Sequence, residues 1–199
     1  MNYLAHAYLS FGHPEILTGN MISDYVKGNK QFDFSPAIQS GIQLHRAIDQ
    51  FTDEHPVTRE AKNLFRKDYR LYSGAFIDVV FDHFLATDVK EFGKEEILHD
   101  FTRVTYEKLE LYQSVFPDRF SKMFPYMKEQ NWLLNYRNNW GLKKSFEGLV
   151  HRAAYMYESQ TAYDLFEKHY ADLGKYYQDF FPELKSFSMQ KFAELQTQF

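Results

Sequence analysis

The residues best suited to chemistry lie in the stretch 41–53, whose sequence is GIQLHRAIDQFTD. In a helix, side chains three and four positions apart share a face, so His45 and Asp49 fall on the same side as Ile42. That side should point at the hydrophobic core. A carboxylate buried there needs a charge partner or a metal ion to offset its lost hydration. We therefore interpret this helix as one wall of a metal site.

Other ionisable residues also occupy apolar helical contexts, all of them in the first 85 residues. Together with the two above they form a set of six: His6, Asp24, His45, Asp49, Asp82 and His83. Histidine and carboxylate ligands without cysteine suit divalent ions such as Mn²⁺, Fe²⁺, Mg²⁺ or Zn²⁺. Such an ion polarises a phosphate oxygen and lowers the pKa of a bound water. The pattern favours a metal site assembled from several helices.

Each candidate also has a purely structural explanation. His6 taken alone is typical of a hydrogen-bonded core histidine. Asp49 could pair with Arg46, three residues before it on the same helix. Asp53 and Asp78 are interpreted as surface groups or as groups that support the ligands. The clustering of the six residues, rather than any one of them, favours the metal site.

A line of basic residues recurs at helical spacing after Pro56: Arg59, Lys62, Arg66 and Arg70. Such a line is often a solvated helix face, but it could also dock an acidic protein by long-range attraction. Aromatic side chains at Trp132, Tyr136 and Trp140 are interpreted as core or rim residues rather than as a base-stacking platform. The chain as a whole carries a net charge of −4, which argues against a general nucleic-acid binder.

The elements that must position these residues are helices. Prolines at 14, 36 and 56 are typical of helix starts, the second after a capping serine at 35. No stretch alternates with a period of two, so no strands are expected. The predicted segments are 2–10, 14–28, 36–53, 56–70, 74–88, 93–115, 117–125, 131–140 (a short helix with a loop), 142–158, 161–180 and 182 onward. The sequence predicts an all-α, single-domain helical bundle over residues 1–199.

Composition sets the broad class of the protein. With 199 residues, 44% hydrophobic and 19% aromatic, the chain can bury a substantial core. It has no cysteine, which excludes disulfides and thiolate chemistry. The sequence shows no signal peptide and no apolar run near the roughly 18 residues of a membrane span. We expect a soluble cytoplasmic protein with no nucleic-acid or membrane partner.

Five spaced motifs carry a family resemblance: NYLAH at 2–6, GNMISDYVKG at 19–28, GIQLHRAID at 41–49, TD at 52–53 and DHFL at 82–85. In this order they resemble the acyl carrier protein phosphodiesterase family, also called holo-ACP hydrolases. The likeness is close over residues 1–90 and looser through the C-terminal helices.

The resemblance implies an all-helical fold distantly like the HD-type phosphohydrolase domain. It also implies removal of the 4'-phosphopantetheine arm from holo-acyl carrier protein, an acidic partner, to give the apo form. A divalent ion, Mn²⁺ first among the candidates, would support this hydrolysis. The resemblance assigns Asp24, His45, Asp49, Asp82 and His83 to the site, and together with His6 these are the six metal ligands that we expect. The implied catalytic residues are Asp24, His45, Arg46 and Asp82. The expected substrate-binding residues are Lys27, Arg46, Arg59, Lys62 and Arg66.

One departure from the HD pattern affects the ligand assignment. HD enzymes carry an adjacent His-Asp doublet, whereas this chain has Asp82-His83 and a separated His45 and Asp49. Two alternatives stay open: an HD-like phosphohydrolase acting on a nucleotide or another small phosphoester, and a non-catalytic helical binding protein whose buried polar residues are structural.

Overall fold

A computed structural model describes residues 1–197 of the chain, and these residues form helices joined by short turns. The α-helices are α1 (Tyr3–Tyr8), α2 (Pro14–Ile22), α3 (Pro36–Glu54), α4 (Pro56–Tyr69), α5 (Ser73–Thr87), α6 (Glu95–Glu110), α7 (Asp118–Glu129), α8 (Trp132–Asn135), α9 (Asn139–Arg152), α10 (Gln160–Lys168) and α11 (Tyr170–Gln196). No strand occurs within residues 1–197, so the all-α prediction is confirmed. No helix in this part of the chain is both long and apolar enough to cross a membrane.

Three of the helices begin with the same local device. A polar side chain just before the helix accepts a hydrogen bond from a backbone N–H of the first turn, and a proline follows it. These pairs are His13-Pro14, Ser35-Pro36 and His55-Pro56. The cap satisfies an otherwise unpaired N–H, and proline has no N–H to leave unpaired. The predicted starts of α2, α3 and α4 agree with this.

Helices α2 and α3 cross at a contact between two glycines. A Cβ added to Gly19 would lie 2.0 Å from the carbonyl oxygen of Ile38, and one added to Gly41 would lie 2.2 Å from that of Ile16. Any side chain at either position would push the two backbones apart. The crossing therefore brings the second half of α2 against the face of α3 that carries His45.

Helix α5 lies at the centre of the core. Phe76, Phe81 and Leu85 are fully buried on different sides of it, and α1, α4, α9 and α11 pack around it. Helix α3 packs against α2, α4 and α11. Five of the six predicted metal ligands thus lie on α1, α3 and α5, which share one hydrophobic core.

Pro125 does not end a helix and Pro182 does not begin one, so the boundaries predicted there are wrong. Helix α7 continues through Pro125 and α11 through Pro182. Both prolines are exposed, while buried residues such as Phe124, Phe181 and Leu184 flank them. Burial of these flanking side chains offsets the roughly 3 kcal/mol that a proline costs inside a helix. The predicted helix from 182 onward also includes residues 198 and 199, which lie outside the described residues.

Several other helices are shorter than predicted. Helix α2 ends at Ile22, α6 at Glu110 and α9 at Arg152. As a result Asp24 lies in a 3-10 turn, Ser23–Tyr25, and not inside α2. The turn brings Asp24 to within 3.3 Å of His45 on α3.

Candidate metal centre

Three ligand-type side chains converge between α1 and α3. One ligand atom from each of His6, His45 and Asp49 lies within 4.8 Å of the others. The two oxygens of Asp49 divide between the imidazoles: Oδ1 is 3.2 Å from Nε2 of His6, and Oδ2 is 3.1 Å from Nε2 of His45. We call these three residues the His–His–Asp cluster, and this donor set could hold a metal ion.

The two imidazoles of the cluster stack on each other. Their ring centroids are 4.0 Å apart and their planes differ by 16°. Both histidines are buried, whereas the side chain of Asp49 is 41% exposed. The cluster is therefore closed on the imidazole side and open to solvent on the carboxylate side.

Asn20 fixes which nitrogen of each imidazole carries hydrogen. Its backbone carbonyl lies 2.8 Å from Nδ1 of His45, and its side-chain Oδ1 lies 2.8 Å from Nδ1 of His6. Its Nδ2 donates to the carbonyl oxygen of His6 and to Ser10, which fixes the orientation of the amide. Because carbonyl oxygens only accept, both Nδ1 atoms donate. Each Nε2 is left to face Asp49.

This arrangement fits a bound cation. Nε2 of His6 is buried and has no hydrogen-bond partner in residues 1–197, although it lies near Asp49. Burial lowers the pKa of His6, with the charge of His45 adding to the effect, so this nitrogen carries a lone pair. A lone pair that faces a carboxylate is repelled unless a proton or metal ion lies between them.

The other two members of the cluster carry opposite charges in the protein without an ion. Burial opposes charge on His45, but hydrogen bonds and Coulombic attraction from Asp24 and Asp49 outweigh it and raise the pKa of His45 to about 9. Burial also opposes charge on Asp49, which would raise its pKa. The two imidazoles and the amino group of Met1 outweigh burial and hold the pKa of Asp49 well below its usual range. At neutral pH a proton therefore occupies the His45–Asp49 contact.

Two further charged groups border the cluster. Asp24, with a side chain 69% exposed, lies 3.3 Å from Nε2 of His45. That hydrogen bond lowers the pKa of Asp24. On the other side, the amino nitrogen of Met1 is 3.0 Å from Asp78 and 3.7 Å from Asp49. Asp49 thus lies within 3.7 Å of both imidazoles and the amino group, and the alternative pairing with Arg46 is absent from the ion pairs of residues 1–197.

Asp82 lies outside the cluster and binds backbone groups. Its carboxylate accepts hydrogen bonds from the N–H groups of Asn2, Leu4 and Ala5, at 3.2, 2.7 and 3.4 Å. It is fully buried, and burial raises its pKa to about 7 despite the opposing effect of the Met1 amino group and these N–H donors. Asp82 therefore holds the first turn of α1, the helix that carries His6.

His83, predicted as a ligand beside Asp82, also contacts other groups. Its Nδ1 donates to the carbonyl oxygen of Tyr136 at 2.8 Å, and its Nε2 lies 3.3 Å from the hydroxyl of Tyr170. Burial lowers its pKa. The structure thus brings together His6, His45, Asp49 and Asp24 of the six predicted ligands, and it places Asp82 and His83 elsewhere in the core.

The predicted substrate-binding residues lie in two places. Arg46, next to His45 on α3, and Lys27, three residues after Asp24, are both exposed. Arg46 donates to the side chain of Gln31 and to the carbonyl oxygen of Val26. Arg59 and Arg66 are exposed on α4.

Lys62, which lies between Arg59 and Arg66 in the sequence, is half-buried and bonds to Asp53 at 2.7 Å. Arg70 lies just beyond the end of α4. Asp53 is four residues after Asp49 on α3. Lys62 therefore contacts α3 about 6 Å along that helix from Asp49.

The residue that sequence reasoning missed is Asn20. Sequence reasoning includes Asn20 only as part of the motif at 19–28 and gives it no role. A signal was present, since a carboxamide next to a glycine within the apolar run of α2 must find hydrogen-bond partners when buried. What the sequence does not reveal is that these partners are the two imidazoles.

The chain is similar to proteins of one named family. The family model described as acyl carrier protein phosphodiesterase matches residues 1–184. Proteins named acyl carrier protein phosphodiesterase from Yersinia enterocolitica and Escherichia coli are 30% and 29% identical over 191 residues, 96% of this chain and 99% of each relative. One from Photorhabdus laumondii is 29% identical over 182 residues, 92% of both chains. No solved structure matches the chain. With a family model that covers nearly its whole length, and with the residues of the motifs at 2–6, 19–28 and 41–49 gathered at one site, this chain belongs to the acyl carrier protein phosphodiesterase family.

Proposed function

We propose that this protein is a metal-dependent phosphodiesterase that removes the 4'-phosphopantetheine arm from holo-acyl carrier protein and leaves the apo carrier. The observation that carries the proposal is the convergence of the Nε2 atoms of His6 and His45 on Asp49, with both Nδ1 hydrogens directed to Asn20. Membership in the family supports holo-acyl carrier protein as the substrate. The geometry of the cluster supports attack on the substrate's phosphate at this site.

We assign the metal site to His6, His45 and Asp49, and Mn²⁺ is the ion we expect, ahead of Mg²⁺, Fe²⁺ and Zn²⁺. Imidazole and carboxylate ligands suit all of these ions. When bound, a divalent ion supplies positive charge to a phosphate oxygen and lowers the pKa of a coordinated water. The open side of the cluster, where Asp49 is exposed, leaves room for water and substrate.

Asp24 has the right position for the proton-transfer role. It contacts His45 yet remains largely exposed, and that contact keeps it ionised at neutral pH. In the proposed reaction Asp24 takes the proton of the attacking water as its oxygen bonds to phosphorus. The bond from phosphorus to the carrier's serine oxygen breaks, and that oxygen receives the proton.

Arg46 and Lys27 are proposed to bind the phosphate. Both are exposed, and the guanidinium of Arg46 is held close to the turn that carries Asp24 through its hydrogen bond to Val26. A planar guanidinium can donate two parallel hydrogen bonds to a phosphate. These cations would offset the charge that develops on the phosphate oxygens.

The acidic carrier protein is proposed to dock on the α4 face made by Arg59, Lys62 and Arg66. Among residues 1–197 the arginines that form ion pairs are Arg103 and Arg137, so Arg59 and Arg66 are available to carboxylates of a partner. With a net charge of −4, the protein needs a local basic face to attract an acidic protein.

For Asp82 and His83, the contacts support positioning roles. Asp82 holds the N-terminus of α1 and so places His6, while His83 ties α5 to the carbonyl of Tyr136. We propose that loss of Asp82 would impair turnover through displacement of His6.

The direct test is mass spectrometry of holo-acyl carrier protein incubated with the protein and Mn²⁺. We expect the carrier to lose the mass of phosphopantetheine, and Asp24→Asn to abolish that loss while the protein stays folded. Asp33→Asn, an exposed carboxylate nine residues away, is the matched control and should retain activity. Wild-type turnover by Asp24→Asn would overturn the role of Asp24.

A panel of nucleotides and small phosphoesters measured beside the carrier tests the alternative substrate class. If they are hydrolysed and the carrier is not, the carrier assignment is wrong. A protein that binds no Mn²⁺ in titration and cleaves none of these substrates would support the non-catalytic alternative.

A further inference from the structure

A cavity of about 610 Å³ lies between the start of the chain and helices α8 and α9. We call it the α8–α9 cavity. Its wall combines carboxamide side chains with large aromatic rings. These residues are Asn2, Gln130, Asn135, Trp132, Tyr136 and Trp140. Small-molecule sites in proteins have volumes of roughly 300–1,000 Å³ and the same mixture of apolar walls and a few polar groups.

Two wall residues, Asn2 and Tyr3, connect the cavity with groups that border the His–His–Asp cluster. Tyr3, a wall residue, has its hydroxyl 2.8 Å from that of Tyr25, which follows Asp24 in the chain. Asn2, another wall residue, follows Met1, whose amino nitrogen is 3.7 Å from Asp49. A molecule whose phosphate lies at the cluster could therefore extend along Asn2 and Tyr3 into the cavity.

The carboxamides of the wall have unused hydrogen-bonding capacity. Oε1 of Gln130 accepts from the indole N–H of Trp132, and Nδ2 of Asn135 donates to the backbone carbonyl of Gln130. Oδ1 of Asn2 accepts from the backbone of Tyr3. Within residues 1–197 this leaves the NH₂ groups of Gln130 and Asn2 as open donors and Oδ1 of Asn135 as an open acceptor.

A cation lies near the end of the cavity that faces the cluster. Arg152, in the last turn of α9, lines the cavity and is close enough to Tyr3 to act on it electrostatically. It is absent from the arginine ion pairs of the described chain, which involve Arg103 and Arg137. Its charge is therefore available to an anionic group of a ligand.

We propose that the α8–α9 cavity binds the pantetheine arm of the substrate, with the phosphate at the His–His–Asp cluster. This inference rests on the proposed phosphodiesterase function and adds the group that the enzyme recognises. The arm is a linear chain with secondary amides, an apolar dimethyl segment and a terminal thiol. Amides match the open carboxamides, and the apolar segment matches the aromatic rings. Arg152 faces the phosphate end.

Gly148 offers a way to block the cavity without moving the backbone. It lines the cavity on α9, and the one atom near a Cβ added there is Nη1 of Arg152, at 3.6 Å. Gly148→Leu places a side chain in the cavity, and Gly148→Ala, which adds a single methyl group, is the matched control. Both substitutions suit a helix interior better than glycine does.

The experiment compares binding and turnover in the two variants. For Gly148→Leu we expect the KM for holo-acyl carrier protein to rise at least about tenfold with kcat within about twofold, because the substitution removes binding of a non-reacting part of the substrate. Affinity for free 4'-phosphopantetheine should fall to that for inorganic phosphate. The Mn²⁺-induced rise in Tm should match that of wild type, and Gly148→Ala, with its smaller side chain, should raise the KM less than Gly148→Leu does.

Each result decides the matter. Unchanged KM and unchanged 4'-phosphopantetheine affinity in Gly148→Leu would overturn the cavity assignment and leave the phosphodiesterase function standing. If wild type binds 4'-phosphopantetheine in a Gly148-dependent way but does not cleave the carrier, the function is wrong and the cavity assignment holds. Should Gly148→Leu fail to fold, Trp140→Ala, which removes a half-exposed ring of the wall, must weaken 4'-phosphopantetheine binding for the assignment to stand.

Discussion

The imidazole of His6 stacks on that of His45 at 4.0 Å, although the two residues come from different helices and are 39 positions apart in the chain. Two buried imidazoles at this distance cannot both be protonated without strong repulsion. The structure resolves this with one charged ring, His45, between Asp24 and Asp49, and one neutral ring, His6. A divalent ion would replace the proton on His45 and use the lone pairs of both rings.

Asn20 should matter for metal affinity although it is not a ligand. In Asn20→Ala, His6 loses the acceptor that orients its ring, and we expect Mn²⁺ affinity to fall about 10–100-fold, the usual cost of losing a group that orients a metal-binding histidine. Electron paramagnetic resonance of free Mn²⁺ would measure this. Ser10→Ala is the control, because it removes a partner of Asn20 but leaves the bond to His6. Equal affinities in both variants would mean that Asn20 does not orient the ring.

Asp49→Asn should remove both metal binding and turnover. The substitution takes away the carboxylate that faces His6, His45 and the Met1 amino group. The charged His45 ring and the charged amino group then lose a partner, so Tm should also fall. Asp53→Asn, one turn further along α3, loses a surface ion pair with Lys62 and should change stability by less than about 1 kcal/mol. Calorimetric Mn²⁺ titration and thermal melts of the two variants check this pair. A normal Mn²⁺ titration in Asp49→Asn would contradict the assigned site.

Mn²⁺ binding should release a proton at neutral pH. In the ion-free protein the pKa of His45 is raised to about 9, so its Nε2 is protonated at pH 7 and must lose that proton to become a ligand. We expect release of about one proton per ion at pH 7, falling toward zero above pH ~9. Titration calorimetry in buffers with different ionisation enthalpies measures it. If the number of protons released does not change with pH, the ion does not displace a proton from His45.

Asp82→Asn should flatten the dependence of stability on pH. The pKa of Asp82 is raised to about 7 in the folded protein, above its value of roughly 3.9 in an unfolded chain. The folded state therefore prefers the protonated form, and the stabilisation present below pH ~4 is lost as pH rises through about 7. Wild type should lose stability relative to Asp82→Asn over this interval. Tm measured across it, with Asp33→Asn retaining the wild-type slope, checks the sign. A parallel pair of curves would mean that Asp82 is ionised throughout.

Charge reversal on the α4 face should weaken carrier docking selectively. Arg59→Glu with Arg66→Glu replaces attraction by repulsion, so we expect KM for holo-acyl carrier protein to rise, with a weaker effect at high salt because the attraction is screened. Hydrolysis of methyl p-nitrophenyl phosphate, which lacks a carrier, should be unchanged. Lys90→Glu, an exposed lysine after α5, serves as the matched control. If both substrates respond alike, the face does not dock the carrier.

The sequence predicted part of the site because that part is local. His45 and Asp49 lie four residues apart on one helix, and helical geometry alone puts them together. His6 and Asn20 reach the same place only through the contacts of α1 and α2 with their neighbours, which a pattern in one segment does not encode. Asp82 shows the limit most clearly. An aspartate in an apolar helix needs partners, but the sequence does not show that these partners are backbone N–H groups almost 80 residues earlier in the chain.

Helix boundaries show the same difference between local sequence signals and long-range packing. Capped starts at Pro14, Pro36 and Pro56 were predictable because cap and proline are neighbours in sequence. Pro182 was misinterpreted as a start because its local preference is overridden by the buried face of α11 on both sides of it. Local sequence signals therefore predict where helices begin. They do not predict whether a proline interrupts a helix, because tertiary packing decides that.

The glycine crossing of α2 and α3 has a consequence for how a mutational scan of this protein would be interpreted. A methyl group at Gly19 or Gly41 would drive the helices apart and carry the Asn20 carbonyl away from His45. Two positions with no functional group of their own would then score like ligands in an activity screen. Ranking by lost turnover alone would group them with the imidazoles, and a paired measurement of folded protein would separate them.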